Sequence, residues 1–201
     1  MNYNYLSDLN TFQQNAVESI DGPILIIAGP GSGKTRVITT RIAYLVHECG
    51  VSAHRIAALT FTNKAANEMK ERLLPLLGEE AKKITAGTFH SFCASILRRD
   101  GPVLGLDRNF VIFDDDDQMN VIKESIKELN IDPKRFTPRG ILATISNAKS
   151  LLMDSRTYDE TKTDYYQEIV SRVFQRYEEI LTRSEAVDFD DLLVKTHNIL
   201  M

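Results

Sequence analysis

Residues 24–36 read ILIIAGPGSGKTR, and this stretch decides the fold that the rest of the chain implies. Ile24–Ile27 are apolar and rich in β-branched side chains, which predicts a buried β-strand. The run Gly29–Gly33 ends that strand, because glycine and proline interrupt regular structure. Lys34 and Thr35 then open a segment whose apolar residues recur at helical spacing. The stretch therefore predicts strand, glycine loop and helix, the setting that a phosphate-binding loop requires.

The residue types of this loop suit a phosphate chain. Glycines let backbone N–H groups point at an anion, and a helix start adds unpaired N–H groups and the positive end of its dipole. Lys34 would reach the outer phosphates, and the Thr35 hydroxyl would ligate Mg²⁺. The pattern G-x-x-x-x-G-K-[S/T] is broken at Ala28, which is small enough to keep the loop shape. The alternative is a glycine-rich turn with a solvated lysine.

The length, charge and cysteine content limit the classes of protein to which the chain can belong. The chain has 201 residues, room for one large domain or two small ones, and no apolar run of membrane-spanning length. Met1–Tyr5 lack the features of a signal peptide. Cys49 and Cys93 have no metal-ligand spacing, so we expect reduced thiols in a cytoplasmic protein. The net charge of −4 argues mildly against nucleic acid but does not exclude a groove that binds through stacking and backbone donors.

Strand and helix patterns alternate through the first half of the chain. Ile56–Phe61 and Ile84–Thr88 predict two further buried strands, each followed by an amphipathic helix. Three alternations predict an α/β domain with a parallel sheet. Ligands of such sheets bind at the carboxyl ends of the strands. Those ends carry Gly29–Lys34, Phe61–Asn63 and Thr88–His90.

The pattern changes after Gly105. Phe110–Phe113 predict a short strand, residues 152–163 predict a loop, and Tyr165–Thr182 predict a long helix. Residues 104–186 are otherwise helical in pattern. Two acidic groups invite a functional interpretation: Asp114–Asp117 as metal ligands, and the Asp188–Asp191 segment as paired carboxylates for acid–base work. Helix capping explains both groups with fewer assumptions. Two further caps are predicted: Thr137 before Pro138, and Asn10 before a short helix whose inner face is Phe12, Ala16, Val17 and Ile20.

Five segments together resemble the amino-terminal part of the UvrD/PcrA/Rep-type DNA helicases of superfamily 1. They are Leu9-Asn10…Gln13…Ala16-Val17, Ala28–Thr35, Leu59–Ala66 with Glu68-Met69, Thr88–Ser91 and Val187–Leu193. Many enzymes share a phosphate loop, but these segments in this order and spacing are highly specific. The resemblance implies an α/β fold with a P-loop RecA-like parallel sheet, domain 1A, that is incomplete and carries an inserted all-helical subdomain, 1B. The implied ranges are 1–103 for domain 1A, 104–186 for subdomain 1B and 187–201 for the return to domain 1A.

The resemblance also implies roles for single residues. Gln13 falls on the glutamine that reads adenine, Lys34 and Thr35 on the catalytic phosphate and Mg²⁺ contacts, and Arg36 near the nucleotide. The remaining loop residues are Ala28, Gly29, Pro30, Gly31, Ser32 and Gly33. Single-stranded DNA would contact Phe61, Thr62, Asn63, Thr88 and His90, with the aromatic ring stacking on a base. From the residues alone, Gln13 would be a surface residue, Phe61 core packing and His90 a helix cap.

The implied function is an ATP-dependent helicase or translocase that uses Mg²⁺ and moves 3′ to 5′ on single-stranded DNA and duplex junctions in replication and repair. The family's strand ending in Asp-Glu and its second RecA-like domain have no counterpart in the sequence. An arginine finger alone contributes roughly 10³–10⁵ in rate. We therefore expect the chain to be the first part of a longer helicase, without turnover alone and able to self-associate through an open sheet edge.

Other functions stay open from the sequence. A helicase-nuclease motor subunit shares the same segments, and a stand-alone nucleotide-binding or interaction module would bind ATP weakly without DNA stimulation. A small-molecule kinase accounts for the loop but not for the segments at Phe61 and His90.

Overall fold

The computed structural model describes residues 6–201, so the expectation on Met1–Tyr5 lies outside the described residues. The protein is mixed α/β, mostly helical, with short parallel strands. The helices are α1 (Thr11–Glu18), α2 (Lys34–His47), α3 (Asn63–Leu77), α4 (Phe89–Asp100), α5 (Asp115–Glu128), α6 (Pro138–Ser150), α7 (Ser155–Thr161), α8 (Tyr165–Arg183) and α9 (Phe189–Leu200). The strands are β1 (Ala57–Thr60), β2 (Thr85–Thr88), β3 (Val111–Ile112) and β4 (Ala186–Val187). The chain divides after Phe92 into two compact units.

The first unit is built on the parallel pair of β1 and β2, aligned from Ala57 opposite Thr85 to Thr60 opposite Thr88. Helices α2 and α3 supply most of the apolar side chains that cover this pair. The buried core comprises Ile42, Ala43, Ala53, Ala58, Met69, Leu73, Leu77 and Ile84. The sequence prediction of two parallel strands in this region is confirmed, each somewhat shorter than its apolar run.

The predicted strand at Ile24–Ile27 is wrong. Within residues 6–201 no strand is assigned there, and Leu25 and Ile27 are 86% and 91% exposed. Ile24 and Ile26 are less exposed, so exposure alternates as in an extended segment. An apolar segment becomes a buried strand only where a neighbouring strand pairs its backbone groups and another layer covers it. Two strand–helix alternations therefore replace the predicted three, and self-association through a sheet edge stays a prediction.

Helix α1 follows its predicted start but not its predicted inner face. Asn10 accepts the backbone N–H of Gln13 at 2.9 Å and begins the helix, as its position in the sequence indicates. Val17 is fully buried against Leu9 and Val37. Phe12, predicted to face inward, is 87% exposed.

The second unit has a larger apolar core, formed where α5 packs on α6 and α8 and where α7 packs on α8. Its largest fully buried side chains include Phe174, Tyr177, Ile141 and Ile145. Strands β3 and β4 pair in parallel, with Val111 opposite Ala186. Residues 104–186 are therefore not all-helical, and their assignment as an inserted subdomain stays a prediction.

One helix was missed by sequence reasoning. Helix α7 occupies most of the segment predicted as loop, residues 152–163. Asp154 begins it by accepting the backbone N–H of Thr157 at 2.7 Å. Only Tyr158 of this helix is buried, against Phe174, so the segment lacks the periodic apolar face that predicts a helix.

The acidic groups are helix caps, as the sequence predicts. Asp114 accepts the backbone N–H groups of Asp116 and Asp117 at the start of α5, and Asp188 accepts that of Asp191 at the start of α9. Thr137 begins α6 in the same way. No group of His, Cys, Asp and Glu in the described part of the chain is arranged to hold a metal ion.

A buried ionic cluster joins α6, α8 and α9. The Lys149 ammonium donates to Asp188 Oδ2 at 2.6 Å and to Asp191 Oδ1 at 2.9 Å, and the Tyr177 hydroxyl donates to Asp188 Oδ2 at 2.8 Å. The Lys149 side chain is only 3% exposed. Burial alone lowers a lysine pKa, but attraction by Asp191 and Asp188 outweighs it, so the pKa of Lys149 is raised.

Glu178 on α8 is partly buried, and burial disfavours its ionised form. Burial is the main cause that raises its pKa, and Asp191 acts in the same direction, although Ser155 and Lys149 act against them. The pKa of Glu178 is higher in the folded state than in the unfolded state, so protonation of Glu178 stabilises the fold. This stabilisation is complete below the ordinary pKa of 4.5 and is lost as the pH rises through the folded pKa.

We expect Glu178→Gln to raise the melting temperature modestly at pH 7, since glutamine keeps an acceptor for the Ser155 N–H without a half-buried charge. The gain should vanish below about pH 4, where the glutamate itself is protonated. Calorimetry at both pH values measures it, with the exposed Glu124→Gln on α5 as the matched control. Equal gains from both variants would contradict the assignment to burial.

No helix among residues 6–201 combines the length and the apolar character needed to cross a membrane.

Candidate nucleotide and nucleic-acid site

The glycine loop before α2 is a tight turn. Ser32 donates through Oγ to the Gly29 carbonyl at 2.7 Å. Gly31 and Gly33 have φ of 72° and 80°, a left-handed conformation that favours glycine over any residue with a side chain. Gly33 is the cap residue of α2, so the loop passes directly into the N-terminus of a helix of 14 residues. That helix end offers unpaired N–H groups and the positive end of its dipole to an anion.

Lys34 lies over this loop. Its Nζ donates to the Gly29 carbonyl at 2.7 Å and to the Ala28 carbonyl at 3.2 Å. The ammonium is thus directed at the loop from the first residue of α2, and the half-buried Thr35 follows it. These carbonyl contacts are exposed to solvent, so an anion with stronger acceptors can take their place.

Gln13 contacts the glycine loop, and Arg36 lies in the first turn of the helix that follows it. The Gln13 amide donates through Nε2 to the Ser32 carbonyl at 3.1 Å, which brings α1 to the glycine loop. Arg36 forms an ion pair with Asp8 at 2.9 Å. Both partners of that ion pair are largely exposed, so the ion pair contributes little to stability and leaves the guanidinium accessible. The predicted nucleotide residues therefore lie in the glycine loop, in the first turn of α2 and, for Gln13, in contact with the loop.

The second group of predicted residues lies at the ends of β1 and β2. Thr60 of β1 lies opposite Thr88 of β2 in the sheet. Phe61 directly follows Thr60, and Phe89 directly follows Thr88. The two rings are 5.4 Å apart between centroids and tilted by 40°. Phe61 is 92% exposed, which is unusual for a side chain of this size. The arrangement presents an aromatic surface to solvent at the carboxyl end of both strands.

The polar residues beside these rings begin helices. Thr62 accepts the Ala65 N–H at 3.2 Å at the start of α3, and Thr88 accepts the Ser91 N–H at 3.2 Å at the start of α4. Asn63 is the first residue of α3, and the exposed His90 is the second of α4. The threonine hydroxyls thus have structural partners.

Sequence reasoning missed Phe89. The signal was available, because two parallel strands that each end in Thr-Phe place the two phenylalanines side by side if the strands pair in register. The prediction included Phe89 in the segment Thr88–His90 but assigned DNA contacts only to Thr88 and His90.

The fold and the two groups of residues define a mixed α/β protein with a glycine loop at a helix N-terminus and an exposed aromatic surface. The chain belongs to the UvrD/REP helicase family: residues 9–201 match the model of the UvrD/REP helicase N-terminal domain. The family that the sequence motifs indicate is therefore confirmed.

Curated relatives agree with this family. The chain is 51% identical over 199 residues to the ATP-dependent DNA helicase PcrA of Bacillus subtilis. The aligned residues make up 98% of this chain and 27% of the relative. It is 50% identical over 194 residues to the protein of that name in Staphylococcus aureus, which covers 96% of this chain and again 27% of the relative. The chain thus spans about a quarter of the length of these relatives.

Proposed function

We propose that this chain is the nucleotide-loop and DNA-contacting part of an ATP-dependent 3′ to 5′ DNA helicase or translocase of the PcrA type. ATP and Mg²⁺ would bind at the glycine loop, and single-stranded DNA would bind at the ends of β1 and β2. In the longer protein the two sites would form one motor that acts at duplex junctions in replication and repair, in the cytoplasm. Family membership and the names of the relatives support the activity, while the roles of single residues come from the family resemblance and are proposals.

The nucleotide part of the proposal is supported by the residues that surround the loop. Lys34 would exchange the Gly29 and Ala28 carbonyls for phosphate oxygens, which are stronger acceptors for an ammonium group. Thr35, the next residue of α2, would supply a hydroxyl to Mg²⁺. Gln13 would pair with adenine, and Arg36 would lie beside the nucleotide.

The observation that carries the DNA part is the exposed aromatic pair of Phe61 and Phe89. Single exposed apolar side chains are normal on protein surfaces, but two exposed rings in contact form a patch of the kind that marks a binding site. Every base has a flat face that can stack on such a ring, which suits a protein that moves along DNA of any sequence. Asn63 and His90, at the starts of the helices that follow the two strands, would donate to the DNA backbone.

Phe61→Ala is expected to weaken the binding of a single-stranded oligonucleotide about five- to 150-fold, since stacking contributes roughly 1–3 kcal/mol per base. Fluorescence anisotropy with a labelled oligonucleotide measures this for the chain and for the longer protein, in which DNA-stimulated ATP hydrolysis should fall in parallel. The chain alone is expected to show no stimulated hydrolysis.

Phe12→Ala is the matched control, because Phe12 is a similarly exposed phenylalanine of the same unit on α1. Both variants should keep the melting temperature of the unaltered chain. If Phe61→Ala and Phe12→Ala change DNA binding equally, the aromatic pair is not a DNA site.

A further inference from the structure

The side-chain amide of Gln13 is held at both ends. Its Oε1 accepts the backbone N–H of Asn10 at 3.0 Å, and Asn10 in turn accepts the backbone N–H of Gln13, so the two residues form a capping box at the start of α1. At the other end, Nε2 donates to the Ser32 carbonyl at 3.1 Å, across 19 positions of sequence. The helix cap therefore reaches the glycine loop through one amide.

These two bonds fix which way the amide faces. A backbone N–H can only donate, so the atom that faces Asn10 must be the amide oxygen, and the nitrogen must face Ser32. An amide has two N–H groups and two acceptor lone pairs, so one donor and one acceptor of Gln13 remain for a ligand. The bonds to the protein and a pair of bonds to a base can exist together.

The bond to Ser32 also orients the loop. Ser32 lies between the left-handed residues Gly31 and Gly33. A trans peptide is planar, with its C=O and N–H on opposite sides. When Gln13 holds the Ser32 carbonyl, the Gly33 N–H must therefore point away from Gln13. Holding one carbonyl thus selects one orientation for an N–H group that could face a phosphate.

We propose that Gln13 positions the phosphate loop through the Ser32 carbonyl and so links the base site to the phosphate site. The proposal rests on the nucleotide-binding function proposed above and extends it. Gln13 should then matter for ligands that have no base at all. A residue that only reads adenine would have no effect on such ligands.

The test is the binding of inorganic triphosphate with Mg²⁺ to the chain, measured by calorimetry beside ATP. Gln13→Glu keeps an acceptor for the Asn10 N–H but cannot donate to Ser32, and Gln13→Met is its uncharged counterpart without either bond. Asn10→Asp is the matched control, because it adds the same charge to the same helix start, keeps the cap and leaves the Gln13 amide intact.

We expect both Gln13 variants to bind triphosphate about three- to tenfold more weakly than the unaltered chain, the range of one lost hydrogen bond. Asn10→Asp should bind it within twofold of the unaltered chain. Without nucleotide, amide hydrogen exchange of residues 31–35 should be faster in both Gln13 variants than in Asn10→Asp. Helical circular dichroism confirms that each variant is folded.

Three outcomes would overturn the link. The first is loss of ATP binding with unchanged triphosphate binding in Gln13→Met, which would make Gln13 a base contact alone. The second is unchanged hydrogen exchange of the loop. The third is an unaltered chain that binds neither ATP nor triphosphate, which would remove the proposed nucleotide function as well and is thereby distinct from the first two.

Discussion

Replacing Lys149 with methionine is expected to lower the free energy of unfolding by about 3–5 kcal/mol, the usual cost of leaving a buried charge without its partner. The Asp188 and Asp191 carboxylates that accept from the ammonium are themselves buried. Methionine has nearly the same length and is apolar, so the change removes the charge while it keeps the packing. Urea or thermal unfolding measures the effect.

Lys123→Met on α5 is the control, since Lys123 is an exposed lysine of the same unit. It should change stability by less than about 0.5 kcal/mol. Adding Asp188→Asn and Asp191→Asn to Lys149→Met should restore part of the loss, because asparagine can still cap a helix and carries no charge. A loss equal to that of Lys123→Met would show that the cluster is not a buried ionic centre.

The cluster around Lys149 also leads us to expect a change in stability at alkaline pH. The pKa of Lys149 is raised above its ordinary value of 10.5 by Asp191 and Asp188 against the effect of burial. Burial, with Asp188 next, raises the pKa of Tyr177 as well. For both groups the contribution to stability is complete below the ordinary pKa and is lost as pH rises through the folded one. The difference between the unaltered chain and Lys149→Met should therefore shrink above about pH 10.

Lys34→Ala carries the largest expected effect on binding. If the ammonium contacts the outer phosphates, its removal should weaken the affinity for ATP with Mg²⁺ about ten- to 100-fold, the range for hydrogen bonds to charged groups. In the longer protein, DNA-stimulated ATP hydrolysis should fall to background. The two carbonyl contacts that Lys34 makes are exposed, so the melting temperature should be nearly unchanged.

Lys70→Ala is the matched control, an exposed lysine on α3 of the same unit. It should leave both ATP affinity and stability as they are. Because neither replaced lysine is buried, a change in ATP binding cannot be attributed to unfolding. Equal ATP affinity in the two variants would contradict the role of Lys34.

Local chemistry was predictable from the sequence. Asn10, Asp114, Thr137 and Asp188 begin helices at the expected residues, because a cap depends on a side chain and on backbone groups two or three positions away. The glycine loop was predictable for the same reason, since left-handed turns strongly favour glycine. The family follows from these local motifs in their order.

Contacts between distant segments were not predictable in this way. Asp188 was recognised as a cap, but its ammonium partner Lys149 lies 39 positions away on another helix. The Gln13 contact to Ser32 and the contact of Phe89 with Phe61 depend on how elements pack. Helix α7 was not predicted, because only one of its side chains is buried and the segment therefore shows no apolar face at helical spacing.

By itself the sequence determined most of the helix starts, the glycine loop, the strands β1, β2 and β3 and the family, because each depends on residues close together along the chain. The tertiary structure alone decided whether an apolar segment is covered and which charges meet. Ile24–Ile27 have the composition of a core strand, yet Leu25 and Ile27 are exposed, because burial needs neighbours that composition does not specify. Lysine is usually a surface residue, yet Lys149 is buried, because α6, α8 and α9 bring it together with two carboxylates and a tyrosine hydroxyl.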